Sequence, residues 1–269
     1  MDFIKKLEKK WNEEKFVCIG LDPVSEKIPK SVSKKNQFFE FNKAIIDETH
    51  DLVCCYKPNS AFYEALGADG VGQLKKTFEY INKKYPDVST ILDAKRADIG
   101  NTNEGYVKFI FKYLEADAVT IHPYLGKEAV GPFLERQDKG IIILCKTSNE
   151  GAGEFQDFHE LYKKVALNVV ENWNKNGNCC VVVGATYPEE LKVVREIIRE
   201  MPILIPGIGA QGGDLEATIR NGINSKKQGI IISSSRGIIF ASGGSDFAKA
   251  ARAETEKFNT QISEVLNII

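Results

Sequence analysis

Residues 91–100 are Ile91-Leu92-Asp93-Ala94-Lys95-Arg96-Ala97-Asp98-Ile99-Gly100. The turn residues Asp87 and Ser89 precede them, and the stretch itself starts with β-forming residues. It becomes polar before Gly100, which predicts a buried strand that ends in a loop. Asp93 and Lys95 are two positions apart, so on a strand both side chains point to the same face. Three charges at the end of an apolar strand indicate either a structural salt-bridge network or a reaction centre.

Seven other apolar runs occur along the chain, and helical patterns separate them. Runs without polar alternation are typical of strands that are buried on both faces of a parallel sheet. Eight such β-α units in about 250 residues fit an α/β fold, the (β/α)8 or TIM barrel. The alternative is an open doubly wound sheet, but Gly20 leads into Leu21-Asp22-Pro23 instead of the Gly-x-Gly-x-x-Gly pattern expected there. The predicted strands cover about residues 16–21, 52–56, 90–92, 118–121, 140–144, 179–183, 203–205 and 229–232. The predicted helices cover about residues 36–50, 69–84, 103–114, 127–136, 158–174, 188–200, 213–221 and 246–267.

The N-terminal segment predicts one helix in addition to the barrel, with Phe3, Ile4, Leu7 and Trp11 on one face. No linker or shift in composition interrupts the chain. We therefore predict that residues 1–269 form a single domain.

Composition excludes several function classes. The formal net charge of −1 argues against a nucleic-acid binder that relies on a broad basic face. All six cysteines lie in apolar runs without a Cys-x-x-Cys pattern, which gives a zinc site little support and suits buried thiols in a reducing compartment. We see no signal peptide and no apolar run that approaches a membrane span, so we expect a cytoplasmic protein without membrane contact.

The ends of the predicted strands concentrate polar residues, and barrel enzymes build their sites at those ends. Strands seven and eight supply glycines and Arg236 where barrels usually bind phosphate; glycines let backbone N–H groups approach an anion, and a guanidinium binds phosphate with two hydrogen bonds. A tight turn and a surface arginine are the structural alternatives. The candidate residues at the strand ends are Asp22, Lys57, Asp93, Lys95, Asp98, Ser148, Gly207, Gly209, Gln211 and Arg236.

Three other features have simpler interpretations. His122 could act as a base, but we expect a structural histidine. Lys146 could join the site, but we expect a solvated lysine. The charged residues between 189 and 200, Arg195 among them, have the i,i+4 spacing of a solvated helix face.

The charged motif resembles that of the orotidine 5′-phosphate decarboxylase family. Asp93-x-Lys95-x-x-Asp98 is followed by Ile99-Gly100-x-Thr102, and further similar motifs occur in the same order over residues 16–250. The family usually has Gly where this chain has Ala97, and Ala where it has Asn103; these departures flank the charged positions and bear on local loop geometry. The further motifs are Leu21-Asp22-Pro23, Tyr56-Lys57-Pro58-Asn59, Ser234-Ser235-Arg236-Gly237 and the stretch from Pro206 to Asp214, which is specific to one branch of the family, the type 2-like one.

The resemblance implies a dimeric β/α barrel that converts orotidine 5′-phosphate to uridine 5′-phosphate and CO2 in pyrimidine biosynthesis, without a metal or cofactor. It implies that Lys95 is the proton donor within an array of Lys57, Asp93, Lys95 and Asp98. Asp98, Ile99 and Thr102 would come from the partner subunit. The substrate-binding residues it implies are Asp22 at the ribose, Ser148 at the pyrimidine amide edge, Pro206 at the base, Gly209 in the phosphate loop, and Gln211 and Arg236 at the phosphate.

Two alternatives stay open. The Asp-x-Lys-x-x-Asp motif also resembles one in Mg²⁺-dependent keto-sugar-phosphate decarboxylases and aldolases of the same superfamily. The second alternative is a barrel that binds a nucleotide or sugar phosphate without catalysing a reaction. Lys95 and Asp93 argue against it, because a protein that only binds has no need to place a carboxylate against its ligand.

Overall fold

The computed structural model describes residues 2–208 and 212–269. Within them, eight parallel strands pair in chain order, and β1 also pairs with β8, so that the sheet closes into a barrel. The predicted TIM barrel is therefore confirmed. The strands are β1 (Val17–Ile19), β2 (Cys55–Tyr56), β3 (Ser89–Arg96), β4 (Ala118–Ile121), β5 (Gly140–Lys146), β6 (Cys179–Val183), β7 (Ile203–Pro206) and β8 (Ile230–Ser234).

Helices follow the strands around the outside of the barrel. None of the helices in the described ranges is both long enough and apolar enough to cross a membrane. The helices are α1 (Phe3–Asn12), α2 (Gln37–Thr49), α3 (Ser60–Glu64), α4 (Gly67–Lys84), α5 (Gly100–Val107), α6 (Gly126–Leu134), α7 (Gly153–Gln156), α8 (Leu161–Asn168), α9 (Pro188–Ile198), α10 (Leu215–Gly222), α11 (Arg236–Ile239) and α12 (Phe247–Ile268).

Helix α1 is the additional N-terminal helix that the sequence predicts. The carboxylate of Asp2 accepts the N–H of Lys5 and so caps the first turn. Leu7 and Trp11 are buried, and the indole N–H of Trp11 donates to the carbonyl of Ile230 at 2.9 Å. This contact fixes α1 to the start of β8.

The barrel strands are buried on both faces, which explains their continuous apolar sequence. All six cysteines are buried and free, as predicted. Burial raises the pKa of the Cys145 thiol to about 12, so the reactive thiolate is suppressed at neutral pH.

Several predicted boundaries are wrong. Strand β2 is only two residues long, and Ser89 is the first residue of β3, not part of a turn. The single helix predicted over residues 158–174 is bent at its start, because His159 has a φ of +45°. Helix α3 was not predicted; Asn59 begins it by accepting the N–H of Ala61 at 3.1 Å.

The end of β3 departs from regular strand geometry. Leu92 is paired with Val119 of β4, but the next pair joins Arg96 to Ile121, so the register shifts between them. Within the shift Lys95 has a φ of +47°, a left-handed conformation that is uncommon for residues other than glycine. Ala97 follows with a φ of +147°. The local chain path, and not strand alternation alone, therefore sets the position of Lys95.

Candidate active site

Asp93 is the centre of a charged cluster at the end of β3. One carboxylate oxygen, Oδ2, lies 2.9 Å from the ammonium of Lys57, which follows β2. The other, Oδ1, lies 2.7 Å from the ammonium of Lys95 and accepts the hydroxyl of Thr120 at 2.8 Å. Lys57 and Asp93 are buried, whereas the side chain of Lys95 is 49% exposed. Two ammonium groups thus hold one carboxylate between them.

This arrangement keeps the buried pair ionised. Burial alone would raise the pKa of Asp93, but the charges of Lys57 and Lys95 outweigh it and hold that pKa well below its usual range. Burial alone would lower the pKa of Lys57, but the carboxylates of Asp93 and Asp22 outweigh it and raise that pKa. Opposite charges at short range favour the charged form of each partner.

Two residues that support the cluster, Thr120 and Asn59, were not assigned a role from the sequence. The hydroxyl of Thr120, on β4, accepts the N–H groups of Ala94 and Lys95 at 3.0 Å each and donates to Asp93. Asn59 donates its backbone N–H to Asp22 at 3.0 Å, and its amide reaches Asp93 at 3.4 Å. Thr120 is a polar residue within the apolar run 118–121, and that was the available signal.

The cluster opens into a cavity of about 370 Å³ at the carboxyl ends of the strands. Five of the residues predicted for the site line it together with hydrophobic residues of β5, β6 and β7. These five are Lys57, Asp93, Lys95, Ser148 and Pro206.

A second cavity of about 210 Å³ adjoins the first, because Lys57, Ser148 and Pro206 line both. Asp22 and Arg236 line this second cavity together with the neighbours of Arg236 in residues 233–237. Arg236 is the first residue of α11, and its side chain is exposed. The charged cluster and the predicted phosphate site are therefore neighbours.

The loop after β3 lies outside both cavities. Asp98, Ile99 and Thr102 do not occur among the described residues that line them, and 55% of Ile99 is exposed. Asp98 is tied to its own loop: its N–H donates to the side-chain oxygen of Asn103 at 3.1 Å. Asn103 is fully buried and donates in turn to the carbonyl of Ala129 on α6. Within the single chain the structure does not bring these three predicted residues to the cluster.

Two predicted site residues, Gly209 and Gln211, lie outside the described residues. Gly207, which precedes them, lines the second cavity and has a φ of +103° that favours glycine. In the described ranges, no group of three or more His, Cys, Asp or Glu side chains is placed to hold a metal ion.

Two predictions about charged side chains are wrong. Lys146 is not solvated: it is fully buried, forms an ion pair with Asp157 and lies over the ring of Tyr187. Arg195 is not part of a solvated helix face, since its guanidinium donates to four backbone carbonyls at helix ends and in loops, those of Arg199, Met201, Gly222 and Gly229. Charge spacing along a helix does not reveal such acceptors, two of which lie at the end of the same helix and two 27 and 34 residues further along the chain.

A closed β/α barrel with a buried lysine-aspartate-lysine cluster in a cavity at the carboxyl ends of its strands has the architecture of a barrel enzyme. The family model described as "Orotidine 5′-phosphate decarboxylase / HUMPS family" matches residues 15–253. The chain belongs to this family, as its motifs predict, and is a carbon–carbon lyase of pyrimidine biosynthesis.

Individual relatives agree over nearly the whole chain. The chain is 46% identical to the orotidine 5′-phosphate decarboxylase of Cellvibrio japonicus over 98% of both chains. It is 49% identical to that of Christiangramia forsetii over 94% of both. The solved structure of Leishmania donovani OMP decarboxylase superposes with a TM-score of 0.85 at 32% identity and covers 99% of each chain.

Proposed function

We propose that the chain decarboxylates orotidine 5′-phosphate without a metal or organic cofactor, using Lys95 as the proton donor. The observation that carries the proposal is the position of the Lys57–Asp93–Lys95 cluster, which lines a cavity that adjoins the one lined by Arg236. Substrate carboxylate and pyrimidine would occupy the first cavity, and ribose phosphate the second.

The chemistry requires electrostatic stabilisation. When the bond from the ring carbon to the carboxylate breaks, CO2 leaves and the electron pair stays on that carbon, where no neighbouring carbonyl delocalises it well. The ammonium of Lys95 stabilises this charge and then transfers a proton to the carbon, which gives uridine 5′-phosphate. Lys95 is suited to this role because it is half-exposed to the cavity while Asp93 orients it at 2.7 Å.

Repulsion between Asp93 and the substrate carboxylate supplies only part of the rate enhancement. At roughly 4 Å two like charges repel by about 1 kcal/mol in water and about 4 kcal/mol near a protein surface. Enzymes typically supply ~8–23 kcal/mol. Stabilisation of the transition state by the whole site therefore has to provide most of the remainder.

The remaining predicted residues would bind the nucleotide. Asp22 would accept from the ribose, and Lys57 would hold the ribose and the aspartates in position. Ser148 would contact the amide edge of the pyrimidine, and Pro206 would contact its face. Arg236, together with Gly209 and Gln211, would bind the phosphate, and this remote binding energy would help to order the site.

We propose further that the enzyme is a homodimer with shared active sites. Asp98, Ile99 and Thr102 would reach the partner's cavity, since they line neither cavity of their own protomer. Tyr124 and Leu125, after the adjacent strand β4, are 82% and 45% exposed, and together with Ile99 they offer apolar surface for such an interface.

Cytoplasmic location and a single domain over residues 1–269 complete the proposal. Six free, buried cysteines suit a reducing compartment. The net charge of −1 suits a small-molecule enzyme without nucleic-acid partners.

The direct test follows the absorbance of orotidine 5′-phosphate with the purified protein, with and without a chelator. We expect the same loss of substrate in both. Activity abolished by the chelator, with no turnover of orotidylate, would favour the metal-dependent sugar-phosphate enzymes. Binding of uridylate without any change in orotidylate absorbance would favour a barrel that only binds.

Hybrid dimers test the shared site. A Lys95→Ala protomer mixed with an Asp98→Ala protomer forms dimers in which one site keeps both native residues, so partial activity should return. If the two variants are folded and exchange subunits but do not complement each other, the shared site is refuted.

A further inference from the structure

Lys146, the last residue of β5, has no exposed surface. A buried lysine is rare, because its charge is stable away from water only when it is paired. Its partner is Asp157, half of whose side chain is exposed, and its ammonium lies 4.1 Å from the centre of the Tyr187 ring. The described residues that line the two cavities do not include Lys146, so the proposed chemistry leaves it without a role.

The ion pair closes the base of a loop. We name residues 147–157 the β5 loop. Beside the contact from Lys146 to Asp157, the N–H of Thr147 donates to the side-chain oxygen of Gln156 at 2.8 Å, and the amide of Gln156 donates back to the Thr147 hydroxyl at 2.8 Å. One charged contact and two hydrogen bonds thus join the two ends of the loop.

The first residues of the β5 loop reach the cavity. Ser148 and Asn149 line it, and the backbone of Ser148 packs so closely on Gly184 that a Cβ there would lie 2.7 Å from Ser148 Cα. The hydroxyl of Tyr187 donates to the carbonyl of Asn149 at 3.3 Å. Because the same Tyr187 ring covers the ammonium of Lys146, the lysine supports the loop from two sides.

We infer that Lys146 is a positioning residue that fixes Ser148 and Asn149 in the cavity by anchoring the β5 loop to Asp157 and Tyr187. This inference rests on the proposed function, in which Ser148 contacts the pyrimidine. A loop that is ordered before binding spares the ligand the entropy of ordering it, so the anchor increases affinity without touching the ligand.

The test uses Lys146→Met, which keeps the side-chain length and removes the charge. Lys146→Met removes the buried charge and leaves Asp157, whose half-exposed carboxylate can be solvated, so the variant should remain folded. We expect faster amide hydrogen exchange in residues 147–157. We also expect a Kd for uridine 5′-phosphate that rises on the order of tenfold, equivalent to one lost hydrogen bond. KM should rise by a similar factor, whereas kcat should change less.

Asp157→Asn removes the carboxylate and should have the same effects on exchange and Kd, with an added loss of stability because the buried Lys146 loses its partner. Asp157→Glu keeps the charge and should behave like the wild type. Lys163→Met is the matched control, since Lys163 forms a 2.6 Å ion pair with Glu160 near the start of α8, away from the cavity. The exchange rates of residues 147–157 and the Kd for uridine 5′-phosphate should match the wild type in that control.

The outcomes separate the inference from the proposed function. Unchanged exchange and unchanged Kd in Lys146→Met and Asp157→Asn, with or without a lower melting temperature, would overturn the anchor as a positioning device. If amide exchange in residues 147–157 is faster in the variants but the wild type itself does not turn over orotidylate, the anchor stands and the proposed function is refuted. Faster exchange with an unchanged Kd would also overturn the inference, because the loop would then not position a ligand contact.

Discussion

The ends of β3 and β8 border adjoining cavities but are built differently. At β3, Asp93 is buried, and both of its carboxylate oxygens accept hydrogen bonds, from Lys57 on one oxygen and from Lys95 and Thr120 on the other. At β8, Arg236 is exposed on the first turn of α11. The contrast indicates that the charges which act on the reacting bond are arranged before substrate binds, whereas a bound phosphate can organise the other end.

The two ends also differ in backbone strain. Lys95 has a left-handed φ of +47°, a conformation that costs about 1–3 kcal/mol and persists only where the surroundings impose it. Thr120 supplies part of that support, because its hydroxyl accepts the N–H groups of Ala94 and Lys95. The conformation at the end of β3 therefore lowers the stability of the fold but fixes the position of the Lys95 ammonium.

Removing the ammonium of Lys95 should have the largest effect on turnover. Lys95→Ala should lower kcat by about 10²–10⁴-fold or more, the range of one general acid. Binding of uridine 5′-phosphate should largely survive. Steady-state kinetics and calorimetry measure the two quantities, and Lys257→Ala, on the exposed surface of α12, is the control. Retained turnover would remove Lys95 from its assigned role.

Breaking the buried pair should have the largest effect on stability. Asp93→Asn leaves the charge of Lys57 buried without its partner carboxylate, so the free energy of unfolding should fall by about 3–5 kcal/mol. The double variant Lys57→Met/Asp93→Asn should recover much of this loss while turnover stays absent. Urea unfolding of the wild type, Asp93→Asn, Lys57→Met and the double variant measures the coupling between the two residues. Strictly additive losses would contradict a coupled pair.

The same pair sets a pH dependence with a defined sign. Because the folded-state pKa of Asp93 is lowered, its stabilisation is complete above its ordinary pKa of about 3.9 and is lost as the pH falls towards the folded-state value. The raised pKa of Lys57 has the opposite sense: its stabilisation is complete below about 10.4 and is lost at higher pH.

Urea unfolding at several pH values checks this sign. The difference in unfolding free energy between wild type and Asp93→Asn should be constant from about pH 5 to 9 and should narrow below about pH 4. If the free-energy difference narrows only above neutral pH and not at acid pH, the lowered pKa assigned to Asp93 is contradicted.

The sequence predicts where the strands end, but not the local backbone geometry or the burial of single charged residues. The strand ends were predictable because apolar runs stop where Asp22, Lys57 and Asp93 begin, and the barrel then brings those ends together. The left-handed Lys95 was not predictable, because it results from a register shift against β4. Burial of Lys146 was not predictable either, since its partners follow it by 11 and 41 positions and only the fold brings them into contact.

At the open end, Arg236→Ala should weaken nucleotide binding without unfolding the protein. Loss of charge-assisted hydrogen bonds to the phosphate should raise KM and the Kd for uridine 5′-phosphate by about 10–100-fold and also lower turnover. The free energy of unfolding should change by less than about 0.5 kcal/mol, because the side chain is exposed. Binding of uridine, which has no phosphate, is the control; an equal loss for uridine and its phosphate would place Arg236 elsewhere.

The smallest expected effect tests the strain at β3. Ala97 has a φ of +147°, which glycine adopts freely, so Ala97→Gly relieves strain at the cost of unfolded-state entropy and one buried methyl. These terms nearly balance, and the free energy of unfolding should stay unchanged or rise by up to about 1 kcal/mol. Ala94→Gly, at a buried position without a positive φ, is the matched control and should lose about 1 kcal/mol or more. Equal losses in the two variants would mean that the backbone at Ala97 stores no strain, and would confine the strain at the end of β3 to Lys95.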